Sequence, residues 1–285
     1  MGRFLYSYSV SGRSAEEISG PLTRLARLGY AAVELGGVLP MQEARGVKDL
    51  LDDAGMAVNS ICPSFTAERD LSHPNPKVRD NAVRYVRELA DLANAVGAPT
   101  IIIAPTAFLR SQPIASEDEE WEWAVESIRA VGEYADALGV NLTLECWNRY
   151  GTYLLNRLEQ GARLWRETGL PNGGVMADTY HMNIEERFLP QAIRETGGLL
   201  NHVHLSDSNR AAPGQGHIDF ESVLQALIDI DYRGYLTFEL DAQAAARSGV
   251  MPVEDDPLGP LMQQAIEHTK RLEAGLKESG AHPDA

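Results

Sequence analysis

Five short apolar segments of this chain each end in a residue that can bind a metal ion or transfer a proton. They read YAAVELG, LTLECWNR, GGVMADTYHMNIEE, NHVHLSDSNR and GYLTFEL, and the residues concerned are Glu34, Glu145, Asp178, His204 and Glu239. Each apolar run predicts a buried strand with the polar residue near its carboxyl end. The last four residues, three carboxylates and one imidazole on separate strands, suit a divalent cation such as Mn²⁺ or Mg²⁺.

Several of these residues also have an ordinary structural alternative. Glu145 could form a salt bridge with Arg149, and Asp178 could cap the helix that follows it. His181 could be a loop histidine, and Arg210 a solvated surface residue, although its planar fork of donors suits hydroxyls and oxyanions. Ligand-type residues at successive strand ends favour a shared site, because chance would scatter polar residues evenly along the chain.

His202 and His204 lie two positions apart in one predicted strand. Side chains two residues apart on a strand point to the same side, so both rings are expected to face inward. His204 is nearer the carboxyl end of the strand and is the better candidate ligand. His202 is expected to lie deeper and to support the ligand from behind.

Strand and helix patterns alternate from end to end. The 285 residues match the size of one (β/α)₈ TIM barrel, in which active sites lie at the carboxyl ends of the strands. No Gly-x-Gly-x-x-Gly dinucleotide fingerprint is present. We predict one domain over residues 1–277 and a disordered tail at 278–285. Strands are predicted at 4–9, 31–35, 57–61, 100–104, 141–145, 175–178, 200–205 and 235–240, and helices at 15–28, 41–54, 77–96, 117–138, 152–168, 186–196, 220–230 and 257–272.

The composition narrows the classes of partner and the compartment. Lys and Arg number 25 against 41 Asp and Glu, a net charge of −16, which argues against a nucleic-acid partner. The only two cysteines, Cys62 and Cys146, are not expected to form a disulfide, so a reducing cytoplasm is the expected location. No signal peptide or membrane span is predicted.

Four segments together resemble a known family. Leu-Glu-x-x-Asn-Arg, Asp-Thr-Tyr-His-Met-Asn-Ile-Glu-Glu, His-x-His-x-Ser-Asp-Ser-Asn-Arg-x-x-Pro-Gly-x-Gly and the final strand glutamate are similar to those of ketose 3-epimerases of the tagatose and allulose (psicose) type. These enzymes belong to the xylose-isomerase-like barrel superfamily of sugar isomerases and epimerases. The resemblance runs over nearly the whole chain and is tightest from Leu144 to Glu239.

The resemblance implies a set of roles. One divalent cation, Mn²⁺ first with Mg²⁺ or Co²⁺ as alternatives, would be bound by Glu145, Asp178, His204 and Glu239. Glu145 and Glu239 would also be the catalytic acid/base pair, and His181 and Arg210 would contact the substrate. The expected substrate is a small carbohydrate, and the expected assembly is a homodimer or homotetramer.

One position departs from the family pattern. After Glu-x-x-Asn-Arg-aromatic the family commonly has a second glutamate that contacts the sugar, and here that position is Gly151. The metal ligands are unaffected by this change. A glycine removes a charge and opens room, so a bulkier or differently oxidised sugar becomes a candidate substrate.

The chemistry expected from these parts begins with removal of the proton next to the carbonyl of a keto sugar. One carboxylate takes the proton, an enediolate forms, and the other carboxylate returns a proton from the opposite face. Aldose–ketose isomerases, inosose isomerases or dehydratases, and lyases acting on a 3-keto sugar or glycoside begin in the same way and stay open as alternatives. An abasic-site endonuclease would want more histidines and a basic face, and a non-catalytic barrel would not need a complete ligand set.

Overall fold

The computed structural model describes residues 3–247 and 258–280. Eight parallel strands close into a barrel in the order β1 to β8, which confirms the predicted (β/α)₈ architecture. All eight predicted strands are present, with ends that differ by no more than two residues. The strands are β1 Leu5–Val10, β2 Ala32–Gly36, β3 Ala57–Cys62, β4 Thr100–Ile103, β5 Asn141–Glu145, β6 Gly173–Asp178, β7 Leu200–Leu205 and β8 Tyr235–Phe238.

The described residues form ten α-helices around the barrel, two more than predicted. The additions are the short helices α6 and α9, which lie in segments that were expected to be loops. Short 3₁₀ turns also lie at Met41–Glu43 and Gly197–Leu199. The helices are α1 Ala15–Leu28, α2 Ala44–Ala54, α3 Pro76–Val96, α4 Glu117–Asp136, α5 Leu158–Thr168, α6 Thr179–Glu185, α7 Leu189–Thr196, α8 Phe220–Asp229, α9 Ala242–Arg247 and α10 Leu258–Gly280.

Local sequence signals explain where the helices begin and end. In α1 the Ser14 side chain caps the first turn, and Gly29 ends the helix with a left-handed φ of 81°. The buried residues Ile18, Leu22 and Leu25 follow helical spacing and pack against the barrel. In α4 Ser116 and Glu119 form a capping box. These helices hold the strands whose carboxyl ends carry the polar residues.

The predicted start of the fifth helix was wrong, because residues 152–157 form a loop and α5 begins at Leu158. The Asn156 side-chain amide donates to the carbonyls of Trp147 at 2.8 Å and Thr152 at 3.0 Å. The Thr152 hydroxyl accepts the Leu154 N–H at 3.2 Å. Side-chain bonds of this kind compete with helical backbone bonds and hold the chain in a turn over the barrel mouth.

Three other helix boundaries also differ from the prediction. Asn75, not Ser72, caps α3, and Pro76 occupies its first turn. The Ser72 hydroxyl instead donates to Asp70 at 3.0 Å. The seventh helix begins at Leu189 rather than 186, and the last helix runs to Gly280 rather than 272. Residues 281–285 lie outside the described residues, so the disordered tail stays a prediction.

Two register shifts interrupt the parallel ladder, and both lie in strands that carry site residues. One falls between Val33 and Glu34 in β2, and the other between Val175 and Met176 in β6. Such bulges redirect side chains and often lie beside active sites. No described helix is both long enough and apolar enough to cross a bilayer.

Candidate active site

The four predicted ligands lie at the carboxyl ends of four consecutive strands. Glu145 ends β5, Asp178 ends β6, His204 lies one residue before the end of β7, and Glu239 directly follows β8. The Nδ1 atom of His204 is 3.8 Å from Asp178 Oδ2 and 3.6 Å from Glu239 Oε2. Glu145 joins Asp178 and His181 in an adjoining group whose possible ligand atoms all lie within 4.8 Å of one another. Asp178 therefore links the two groups into one cluster.

The structural alternatives for Glu145 and Asp178 have different outcomes. Arg149 pairs with Glu185 at 2.9 Å, so Glu145 is not explained by a salt bridge with that arginine. Asp178 does cap α6, because its Oδ1 accepts the backbone N–H groups of Tyr180 at 2.8 Å and His181 at 3.3 Å. Its other oxygen, Oδ2, faces the cluster. One carboxylate thus caps a helix and still offers an oxygen to the site.

The donor set fits a divalent cation. Nδ1 of His204 is buried and has no hydrogen-bond partner among the described residues. Buried polar atoms are nearly always satisfied, so an unpartnered nitrogen facing carboxylate oxygens indicates a missing positive partner. Carboxylate oxygens suit Mg²⁺ and Mn²⁺, and an imidazole nitrogen extends the set toward transition metals. Glu145, Asp178, His204 and Glu239 are the residues that could hold such an ion.

The charges of the cluster shift its pKa values in opposite directions. Burial, followed by the negative charge of Glu239, raises the pKa of Glu145 to about 8. Burial acts in the same direction on Glu239, but Arg210 and His204 outweigh it and lower the pKa of Glu239. Burial acts to lower the pKa of His204, but neighbouring carboxylates raise it well above the ordinary value. A bound cation would relieve the carboxylate repulsion and replace a proton at His204.

Arg210 and His181, the predicted substrate contacts, lie in the same cluster. The Arg210 Nη1 atom donates to Glu239 Oε2 at 2.7 Å and to Asp178 Oδ2 at 3.2 Å. Its guanidinium lies 4.2 Å from the ring centre of Tyr180. Arg210 has a left-handed φ of 60°, unusual for a residue with a side chain, and its carbonyl accepts the Asp241 N–H at 2.9 Å. This backbone conformation helps to aim the side chain at the carboxylates.

Asn148 orients His181, a role that sequence reasoning missed. The Asn148 backbone N–H donates to Nδ1 of His181 at 3.1 Å. Burial lowers the pKa of His181, which favours the neutral ring. Because Nδ1 accepts that bond, the single ring proton lies on Nε2, which is 3.8 Å from Glu145 Oε1 and from Asp178 Oδ2. Asn148 belongs to the Glu-x-x-Asn-Arg motif, so the motif was a signal that could have identified it.

An aromatic wall adjoins Glu145 at the barrel mouth. The Trp147 side chain forms a hydrogen bond with the Glu145 carboxylate, another contact that sequence reasoning missed. The Phe108 ring meets the Trp147 ring edge-on, with centroids 5.2 Å apart. A Cβ atom added at Gly151 would lie 3.3 Å from both Phe108 and Trp147. Glycine at this position therefore lets the two rings approach the backbone closely.

Comparisons with known proteins agree with this fold and site. Residues 22–272 match the family model of the xylose isomerase-like TIM barrel. The D-psicose 3-epimerase of Ruminiclostridium cellulolyticum is 31% identical over 76% of each chain. The 3-dehydro-D-guloside 4-epimerase of Escherichia coli is 28% identical over 79% of this chain and 87% of the relative. The crystal structure of D-allulose 3-epimerase from Methylomonas sp. superposes with a TM-score of 0.84 and 26% identity, covering 95% of this chain and 99% of the other. This chain belongs to the xylose isomerase-like TIM barrel family, as the resemblance to ketose 3-epimerases predicted.

Proposed function

We propose that the protein is a divalent-metal-dependent sugar epimerase that inverts a carbon next to the carbonyl of a keto sugar. The observation that carries the proposal is the meeting of three carboxylates around the unpartnered Nδ1 of His204. Sugar epimerase activity is supported independently by the curated relatives, which include ketose 3-epimerases. Mn²⁺ is the proposed ion, with Mg²⁺ and Co²⁺ as alternatives.

Glu145 and Glu239 are the proposed acid/base pair. They lie on β5 and after β8, strands that are separated by β6 and β7 in the closed barrel. Two carboxylates on non-neighbouring strands can reach a bound sugar from different sides, and inversion requires that one face lose a proton and the other gain one. A bound divalent cation would supply Lewis-acid stabilisation of the negative charge that develops on the sugar oxygens.

Other residues of the chain are proposed to hold the sugar and its developing charge. Nε2–H of His181 and the guanidinium of Arg210 point donors at one region beside the carboxylates. Donors that are already oriented before the reaction stabilise an enediolate oxygen without further reorganisation. Trp147 holds Glu145 from the side of the barrel mouth. Substrate contact is therefore assigned to His181 and Arg210, and positioning to Trp147 and Asn148.

The substrate is proposed to be a small carbohydrate, and two substrate classes compete. Free ketoses are the first class, since most of the named relatives are ketose 3-epimerases. Keto glycosides are the second class, because one relative is a 3-dehydro-D-guloside 4-epimerase and Gly151 leaves out the family's sugar-contacting glutamate. Isomerase, dehydratase and lyase outcomes share the first proton abstraction and differ in the product. Homo-oligomeric assembly and a cytoplasmic location stay predictions.

The test is an assay of the whole substrate panel in deuterated water. Metal-stripped protein, with and without added Mn²⁺, is incubated with ketoses, inososes and 3-keto glycosides, and products are separated and analysed for deuterium. We expect one substrate class to yield an epimer with deuterium at the inverted carbon, and only after Mn²⁺ is added. Equal turnover without metal would refute metal dependence. An isomerised, dehydrated or cleaved product in place of an epimer would refute epimerisation.

A further inference from the structure

We propose that Glu34 is a positioning residue that fixes the orientation and tautomer of His204 and so presents Nδ1 of that histidine to the metal. This inference rests on the proposed function, because it concerns the same ion. Glu34 was singled out from the sequence as a possible ligand or proton-transfer residue. Its contacts assign it a different part.

One oxygen of Glu34 accepts three hydrogen bonds at the bottom of the site. Its Oε2 lies 2.9 Å from Nε2 of His204, 3.1 Å from Nε2 of His202 and 2.7 Å from the Ser60 hydroxyl. Glu34, Ser60 and His204 are fully buried, and His202 is nearly so. Because a carboxylate can only accept, the His204 ring must carry a proton on Nε2.

The consequence for His204 follows from the chemistry of imidazole. A neutral ring with its proton on Nε2 has its lone pair on Nδ1, the atom that faces Asp178 and Glu239. The two nitrogens lie on opposite sides of the ring, so Glu34 is kept away from the ion by the ring that it holds. Carboxylates that bind the second nitrogen of a metal-bound histidine fix its tautomer and increase its basicity.

The backbone of β2 is shaped to deliver this carboxylate. Val33 pairs with Val58 of β3, but Glu34 pairs with Ser60, so the register skips Asn59 at this point. The shift sets Glu34 beside the Ser60 hydroxyl, which is the third donor to its oxygen. From β2 the Glu34 side chain reaches across the barrel interior to β7, from which β2 is separated by β1 and β8. A bulge at this one residue is the kind of local irregularity that redirects a functional side chain.

His202 completes the support. Its ring lies 5.0 Å from the ring of His204, at an interplanar angle of 72°. Both rings share the same Glu34 oxygen, so the carboxylate joins them into one buried unit. This arrangement matches the deeper supporting position that the sequence predicted for His202.

The experiment compares Mn²⁺ affinity in the wild-type protein, Glu34→Gln and Glu34→Leu, measured by calorimetric titration after metal is stripped. Glutamine keeps an acceptor oxygen but loses the charge, and leucine loses both. Ser7→Ala is the matched control, because the Ser7 hydroxyl is also fully buried inside the barrel, where it donates to Asn59 at 2.8 Å. Ser7 is not among the described contacts of His204. Circular dichroism and thermal unfolding verify that each variant is folded.

We expect Mn²⁺ affinity to fall about tenfold in Glu34→Gln and up to about 100-fold in Glu34→Leu, with Ser7→Ala close to wild type. Unchanged affinity in a folded Glu34→Gln protein would overturn the inference, and this variant decides the matter if Glu34→Leu does not fold. Equal losses in Ser7→Ala and the Glu34 variants would also overturn it, because they would reflect general damage to the barrel. A wild-type protein that binds no Mn²⁺ would instead refute the proposed function, and the inference with it.

Discussion

Nε2 of His181 and Nη2 of Arg210 lie 3.1 Å apart, and neither nitrogen can accept the other's proton. The guanidinium has no acceptor, and Nδ1 of His181 already accepts the Asn148 N–H, which leaves the ring proton on Nε2. Two donors therefore converge on one point beside the carboxylates of Asp178 and Glu239. A sugar oxygen that gains negative charge is the natural partner for such a pair.

Loss of either donor should therefore reduce turnover, and loss of both should cost less than the two separate losses combined. We expect His181→Leu and Arg210→Gln each to lower kcat/KM by roughly ten- to a hundredfold, since a bond to a charged group contributes about 1.5–3 kcal/mol. Steady-state kinetics of the single and double variants test this. Strictly multiplicative effects would mean that the two residues do not share an oxygen.

Replacement of either catalytic carboxylate by its amide should stop the chemistry without unfolding the barrel. Glu145→Gln and Glu239→Gln are each expected to lower kcat by about 10²–10⁴-fold, the usual contribution of general acid–base catalysis. Metal content and thermal unfolding are measured on the same samples. A variant that binds metal and turns over at the wild-type rate would show that its glutamate is only a ligand or a structural group.

Gly151 is expected to set the choice of substrate. Without the family's glutamate, kcat/KM for allulose, tagatose and fructose should be about one to two orders of magnitude below that of a good ketose epimerase. Gly151→Glu should recover part of this loss, because Phe108, one of the two residues that the new Cβ would press at 3.3 Å, is exposed and can move. Wild-type kinetics equal to those of an efficient ketose epimerase would show that Gly151 has no effect on this choice.

A buried charge network under the mouth loops should make the barrel sensitive to acid. Arg110 lies between Asp70, at 2.7 Å, and Glu120, whose carboxylate also accepts the Ala115 N–H at 2.7 Å and a bond from the Tyr153 hydroxyl. Burial acts to raise the pKa of Glu120, but the bonds from Tyr153, the Ala115 N–H and Arg110 outweigh it and lower the pKa below its ordinary 4.5. The unfolded chain thus binds this proton more tightly than the folded protein does.

The stability that Glu120 contributes is therefore present above its ordinary pKa and lost as the pH falls through the folded value. Glu120→Gln should lower the free energy of unfolding near neutral pH by about 1–3 kcal/mol. It should also lose less stability than wild type when the pH is lowered to about 4. Unfolding curves at both pH values test this, with Glu117→Gln, an exposed residue of the same helix, as the control. Parallel losses in wild type and Glu120→Gln would contradict the assignment.

Sequence reasoning succeeded where a local pattern determines local structure. The apolar runs before Glu145, Asp178 and His204 predicted buried strands, because parallel strands covered on both faces are continuously apolar. Once the barrel closes, the carboxyl ends of its strands meet at one mouth, so residues far apart in the chain come together. Arg210 and His181 were found because they follow two of those strands closely.

The rest depended on contacts that no local pattern records. Glu34 and His204 are 170 positions apart, and their bond depends on a register shift in β2 that only the assembled sheet reveals. The late start of α5 depends on the Asn156 amide, which bonds the Trp147 carbonyl nine residues earlier. Helical patterning could not detect either one, because both are set by tertiary hydrogen bonds rather than by propensity.

Metal content of the purified protein tests the central claim most directly. Wild-type protein, His204→Ala and the control His217→Ala, a loop histidine outside the cluster, are dialysed against Mn²⁺ and then against metal-free buffer. Bound metal is measured by atomic absorption. We expect about one ion per chain in wild type and in His217→Ala, and strongly reduced occupancy in His204→Ala. Full metal retention in a folded His204→Ala protein would contradict the metal site proposed here.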